Sequence, residues 1–148
     1  MEQIKILNED ILSGNFEKAS KIVSQLSLDF FTKKIVSLAY KNTSLVYYSF
    51  VQYLIAKNEC ADYHSIASQL LSTSLCLIKG AYTSAYFHAL RAIEIEPQNI
   101  KHKEFLLFFY KNPENVLSIE MAIKTANEIL AKDPENEVAQ EVLYEKVM

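Results

Sequence analysis

This sequence predicts an all-α fold, with antiparallel helix pairs arranged in a compact, distorted solenoid of eight or nine helices. Three observations lead there. Two glycines and three prolines in 148 residues are too few for a protein of tight β-turns, given average usages of about 7% and 5%. Apolar residues recur at three- and four-residue steps along most of the chain, the period of a helix with one buried face. The spacing of small residues and proline in one stretch recurs further along, as in stacked helical units. A chain of this length buries about 68–70% of its unfolded surface. With 50% apolar and 22% charged residues, it reads as a single helical-repeat domain over residues 1–148.

The elements follow in order. Ile4, Ile6, Leu7, Ile11 and Leu12 form a first apolar stripe, stopped by Ser13-Gly14-Asn15. Phe16, Ala19, Ile22, Val23 and Leu26 form a second, and Phe30, Phe31, Ile35, Leu38 and Ala39 a third, which breaks at Lys41-Asn42-Thr43-Ser44. Leu45 to Ala56 is apolar on nearly every side, which marks it as the central helix; its β-branched and aromatic residues could also pass for a strand. Ala61, His64, Ile66, Ala67, Leu70 and Leu71 continue to the Ser72-Thr73-Ser74 cluster, and Leu75 to Ile78 is a connector. A helix from Gly80 stops at Pro97. Asn99 is placed to cap the next, Ile100 to Tyr110, which ends at Lys111-Asn112-Pro113-Glu114. Ser118 to Lys132 follows, Pro134 ends it, and Asn136 caps a last helix.

The repeat is visible in the stretch KGAYTSAYFHALRAIEIEPQN. Gly80, Tyr82, Ala85, Ala89, Ala92 and Pro97 are followed 37 residues on by Ala122, Ala126, Ile129 and Pro134 at matching steps, and EPQN recurs as DPEN. Gly14, Phe16 and Ala19 repeat the opening of the pattern. Small residues at helical spacing let two helices approach closely, glycine frees the turn before the helix, and proline stops it. The third match lacks the glycine and the NPENVLSIE connection is long, so the array should be distorted.

Charge is uneven. Residues 1–57 carry seven Lys against five Asp and Glu, residues 58–111 five of each sign, and residues 112–148 three against eight. The net charge of −3 and the scattered basic residues argue against nucleic acid and anionic membranes as partners. An acidic end suits a basic protein partner; equally, its carboxylates could occupy helix first turns and a solvated face. No apolar run reaches the length of a membrane span, and the first residues lack the pattern of a secretory leader. Cys60 and Cys76 follow no C-x-x-C spacing and read as small buried side chains in a reducing, cytoplasmic setting.

Chemistry is sparse. His64, His88 and His102 include no H-x-x-x-H or H-E-x-x-H pair, so no metal or cofactor is expected. Two glycines 66 residues apart make no phosphate loop. Glu59 stands five residues before His64, off one helix face, and reads as a first-turn carboxylate. Tyr63, His64 and His88 are the residues from which a polar site could be built, against the simpler reading of His88 as a buried histidine bonded to a neighbour. No catalytic residues are assigned and the chain is not expected to be an enzyme.

The motif from Gly80 to Pro97, with Leu106 and Tyr110 after it, resembles the tetratricopeptide repeat over about residues 66 to 136. In that family the first helix of each pair lines a concave binding surface. The resemblance therefore nominates Lys101, Glu104, Phe105, Phe108, Lys111 and Asn112, with Glu141 and Glu145 on the last helix, as partner-binding residues; the alternative is core phenylalanines and solvated charges. More narrowly, the order YYSFVQYLIAKNECADYHSIASQLLS, KGAYTSAYFHALRAIEIEPQN, KEFLLFFYKNPE resembles all-helical immunity proteins of bacterial polymorphic toxin systems, Rhs-type or contact-dependent. That implies binding a cognate, basic toxin domain, often a nuclease, and blocking its active site or substrate surface. A generic adaptor for a peptide or protein is the alternative.

Overall fold

The computed structural model describes residues 2–111 and 114–147, and within them the chain is helical without a strand. The helices are α1 (Glu2–Leu12), α2 (Phe16–Val23), α3 (Leu28–Asn42), α4 (Val46–Lys57), α5 (Ala61–Ser72), α6 (Ala81–Ile95), α7 (Ile100–Leu107), α8 (Ile119–Lys132) and α9 (Glu137–Val147); a 3₁₀ turn, Phe108–Tyr110, extends α7. Asn99 and Asn136 cap helices as expected, and Ser27 and Ser118 do so as well. Ser27, Asn99, Ser118 and Asn136 accept the backbone N–H of Phe30, Lys101, Met121 and Ala139, each satisfying a donor with no partner inside its own helix. Gly14 and Gly80 both have positive φ, +78° and +83°, at the turns into α2 and α6, a conformation other residues adopt only with strain.

Most connections are short, and most helices pack chiefly on a neighbour in sequence: α1 on α2, α7 on α8, α8 on α9, and above all α5 on α6; α3 is the exception and packs on α5. Two apolar clusters result. One gathers Leu7, Ile11, Phe31, Ile35, Tyr47, Phe50, Val51 and Leu70, with Phe50 making a T-shaped contact to Phe31 at 6.3 Å. The other gathers Leu106, Leu107, Phe109, Leu117, Ala122, Ala126 and Ile129. Partly buried Tyr48 packs against both.

The central element is α5 rather than α4. Helix α4 leaves Ser49, Gln52, Ala56 and Lys57 exposed, whereas α5 buries Ala61, His64, Ile66, Ala67, Ser68, Leu70, Leu71 and Ser72. Hydropathy favours α4 because its side chains are large. Position in the stack favours α5 because its side chains are small enough for α6, which brings Ala81, Ala85, Ala89 and Ala92 to the contact. The buried serines remain satisfied: Ser68 Oγ donates to the carbonyl of Ala85 across the interface (2.7 Å), and Ser72 Oγ to that of Ser68 (2.8 Å). Cys60 and Cys76 are free and half-buried rather than buried. Both lie in connections, Cys60 at the N-cap position of α5.

The α5–α6 contact yields a stability prediction. Ala85 is fully buried there, so Ala85→Leu should destabilise the fold by about 1–3 kcal/mol, the usual cost of overpacking a filled interface. Urea unfolding would measure it, and a midpoint equal to wild type would show that the interface has room to spare.

Candidate functional site

Two groups of residues could carry function. The first is a groove between α7 and α9. It encloses about 420 Å³ and is lined by Glu104, Leu107, Phe108, Lys111, Val138, Glu141 and Val142. Leu107 and Val142 are buried beneath it, while Phe108 and Val138 remain 45% and 43% exposed. Phe108 is braced by its own helix. It stacks on Phe105 (6.1 Å between centroids, 12° between planes) and meets the buried Phe109 edge-on (5.5 Å). Phe109 in turn contacts Tyr86 of α6. A wall held this firmly loses little side-chain freedom when covered.

Charges frame the groove. Lys111 Nζ lies 3.2 Å from Glu141 Oε1 and 2.7 Å from Glu145 Oε1; Glu145, then Glu141, hold its ammonium above the usual lysine range. Glu104 accepts a hydrogen bond from Asn136 Nδ2. Two carboxylates thus face the ammonium and a third lines the groove, an acidic balance at the rim. Of the residues nominated from the sequence, the structure brings Glu104, Phe108, Lys111, Glu141 and Glu145 to this one place, with Phe105 behind Phe108. Lys101 is exposed one turn before Glu104 and outside the lining. Asn112 lies outside the described residues. Sequence reasoning missed Val138 and Val142, whose i, i+4 spacing on the last helix was the available signal.

The second group is a polar chain through the interior. Tyr48 of α4, His88 of α6, His64 of α5 and Glu59, just before α5, are linked in that order: Tyr48 Oη to His88 Nε2 at 2.8 Å, His88 Nδ1 to His64 Nδ1 at 2.9 Å, and His64 Nε2 to Glu59 Oε1 at 2.8 Å. Arg91 Nε closes the outer end on Glu59 at 2.8 Å. His64 and His88 are only 4% and 1% exposed. Glu59 is not a first-turn carboxylate. Its residue precedes an extended Cys60 (φ −149°, ψ 160°), so its side chain folds back to a histidine that helical spacing would put out of reach. The first-turn acid of α5 is Asp62. Tyr63 is not part of the chain; it lines a separate cavity with Val23, Ser24, Leu26, Leu28 and Phe31.

A carboxylate only accepts, so His64 Nε2 donates to Glu59. Two proton arrangements then satisfy the remaining links. With one proton on His64, His88 Nδ1–H donates to His64 Nδ1 and the Tyr48 hydroxyl to His88 Nε2. With two, both links reverse. Burial and, next, the neighbouring His64 lower the pKa of His88 to about 4, while Arg91 and then His64 hold Glu59 at about 2. Burial pushes the Tyr48 phenol up, which disfavours the phenolate a nucleophile would need. The chain therefore works as a clasp joining three helices, with every member bonded.

No family model, no curated protein and no solved structure matches this chain. Among the described residues, no helix is long and apolar enough to cross a membrane.

The clasp implies a pH dependence. An unfolded histidine titrates near 6.5 and folded His88 near 4, so between these values the unfolded chain binds a proton that the folded chain refuses. The stability this provides is fully present above pH 6.5 and is lost as pH falls toward 4. At about 1.4 kcal/mol per pH unit the loss is roughly 3 kcal/mol at most. The groups facing His88 are Tyr48 and His64, with Glu59 and Arg91 beyond. Urea midpoints at pH 7 and pH 4.5 would measure the loss, and His88→Gln should flatten it.

Proposed function

We propose that this chain is a protein-binding module that holds a basic partner at its α7–α9 end. In the more specific form suggested by its segment order, it is an immunity protein that covers the active site or substrate surface of a cognate toxin domain. The observation that carries the reading is the groove: an apolar floor, a rigid exposed aromatic and an acidic rim on one side of the molecule. Exposed aromatics held in packed surroundings are typical binding anchors. The acidic rim would speed encounter with a basic surface and reject acidic ones. Three of the eight acids in residues 112–148 are already paired with lysines of the middle segment, Glu128 with Lys103 and Glu141 and Glu145 with Lys111. At the groove this leaves Glu104, Glu141 and Glu145 against Lys111, still a net negative rim.

The size of the groove supports a second reading, a module that seats one or two apolar side chains of a peptide. The two readings differ in how much surface the partner covers. A toxin domain would form a one-to-one complex over an interface of about 1,600 Å², whereas a peptide adaptor would bind short segments weakly, with affinity falling on substitution of Lys101 or Lys111.

Co-expression with the toxin domain encoded beside this chain should give stoichiometric co-purification and rescue of growth. Phe108→Ala and Val138→Asp, both at exposed positions, should each weaken the complex by about 30-fold or more, the scale of an interface anchor. Rescue untouched by either substitution would remove the groove from the interface. If no neighbouring toxin is neutralised, the immunity reading fails.

A further inference from the structure

A third cluster lies apart from the groove and the clasp. Asp62 stands in the first turn of α5, Glu96 at the C-cap of α6 and His102 in α7. One ligand atom from each falls within 4.8 Å of the other two. His102 is 7% exposed and both carboxylates are half-buried.

The orientation of His102 is set by residues outside this trio. Asn99 spends its Oδ1 on the N–H of Lys101 as the cap of α7 (3.0 Å), which turns its Nδ2 toward Glu96 Oε2 (3.5 Å) and His102 Nε2 (3.3 Å). An amide nitrogen donates, so Nε2 carries the lone pair. The ring proton is then on Nδ1, which faces Ser65 Oγ at 3.1 Å. The result is a buried imidazole whose Nε2 lone pair accepts from Asn99 and stands 3.5 Å from Glu96 Oε2, so that a metal would take the place of the Asn99 bond, while the far side of the ring is held by a hydroxyl. That second contact is what fixes the rotation and tautomer of a metal-binding histidine.

The electrostatics also ask for a cation. Glu96 sits at the C-terminus of α6, where the helix dipole disfavours negative charge, and it faces Asp62. Among the described residues no ion pair joins either carboxylate to a lysine or arginine, and the basic group beside Glu96 is His102 itself, Nε2 to Oε2 at 3.5 Å.

We propose that Asp62, Glu96 and His102 bind a divalent metal ion of the zinc class, with Ser65 and Asn99 as supporting residues. One imidazole nitrogen and two carboxylate oxygens suit zinc or manganese better than calcium or magnesium, which take oxygen ligands alone. Bonds of about 2.0–2.2 Å require the three atoms to draw together to roughly 3.3 Å, a movement that side-chain torsions of the two half-buried carboxylates supply. With three protein ligands, a fourth position is left for water or for a side chain of a bound partner.

The test is titration of zinc chloride into the full chain, followed by calorimetry and by ¹H–¹⁵N correlation spectra of the imidazoles. One equivalent should bind saturably and raise the unfolding temperature, and the ion should move the Nε2 signal of His102 while leaving its Nδ1 proton in place. Asp62→Asn and Glu96→Gln should each weaken binding by more than tenfold, and Ser65→Ala by about tenfold, the usual cost of losing an orienting partner. Absence of saturable binding would overturn the proposal. So would zinc that binds both carboxylate variants as tightly as wild type, or that perturbs His64 and His88 in place of His102; the spectra decide even if a variant fails to fold.

Discussion

The close approach of α5 to α6 is the constraint on which the rest of this structure depends. Two helices can come this near only where side chains are small, and the residues that the pair buries include Ala61, Ser68 and Ser72 of α5 and Ala81, Ala85, Ala89 and Ala92 of α6. The same closeness lets a serine hydroxyl reach a carbonyl of the opposite helix and lets two histidine rings meet at 2.9 Å. It also joins the two apolar clusters, each of which would otherwise present an unfinished face. A polar chain is tolerable at such a seam because each of its members has a partner; removing one would leave the next buried and unsatisfied, which is costly.

Away from the seam the molecule changes character. Helix α7 is only eight residues long before its 3₁₀ turn, yet it bears on α6, α8 and α9. Its N-terminal turn presents His102 to α5, and its C-terminal turn presents Phe108 to solvent. The two ends of one short helix therefore have different surroundings, a buried imidazole beside carboxylates and an aromatic beside an acidic rim. His102 is held from outside the helix, by Asn99 and Ser65, whereas Phe108 is held from within it and its 3₁₀ turn, by Phe105 and Phe109.

How much of this was legible in the sequence depends on the kind of interaction. Helix positions and ends could be read, because caps such as Asn99 and Asn136 and stops such as Pro97 act over three or four residues. The small-residue repeat could also be read, since Ala85, Ala89 and Ala92 are buried as their spacing implies. The ranking of α4 above α5 went astray because hydropathy counts large side chains, whereas the middle of a stack needs small ones. Glu59 was missed because an extended residue before a helix escapes the helical ruler. Asp62, Glu96 and His102 come from three elements, so no spacing rule could join them. The groove was half legible: the α7 and α9 charges were nominated, but Val138 and Val142 were passed over, since apolar residues on a terminal helix look like ordinary core.

One detail of the repeat has a wider meaning. His88 stands immediately before Ala89, and 37 residues later Thr125 stands immediately before Ala126 at the corresponding place; both are buried. The alanines would let almost any two such helices nest, so they specify nearness without specifying a mate. The polar residue supplies what they lack. His88 is seated where Tyr48 and His64 complete its bonds, while Thr125 lines a cavity with Leu90, Ile93 and Leu106. Helix α6 thus has a lock that its own neighbours fit, which counters the tendency of look-alike units to stack in the wrong order or to exchange helices with another copy.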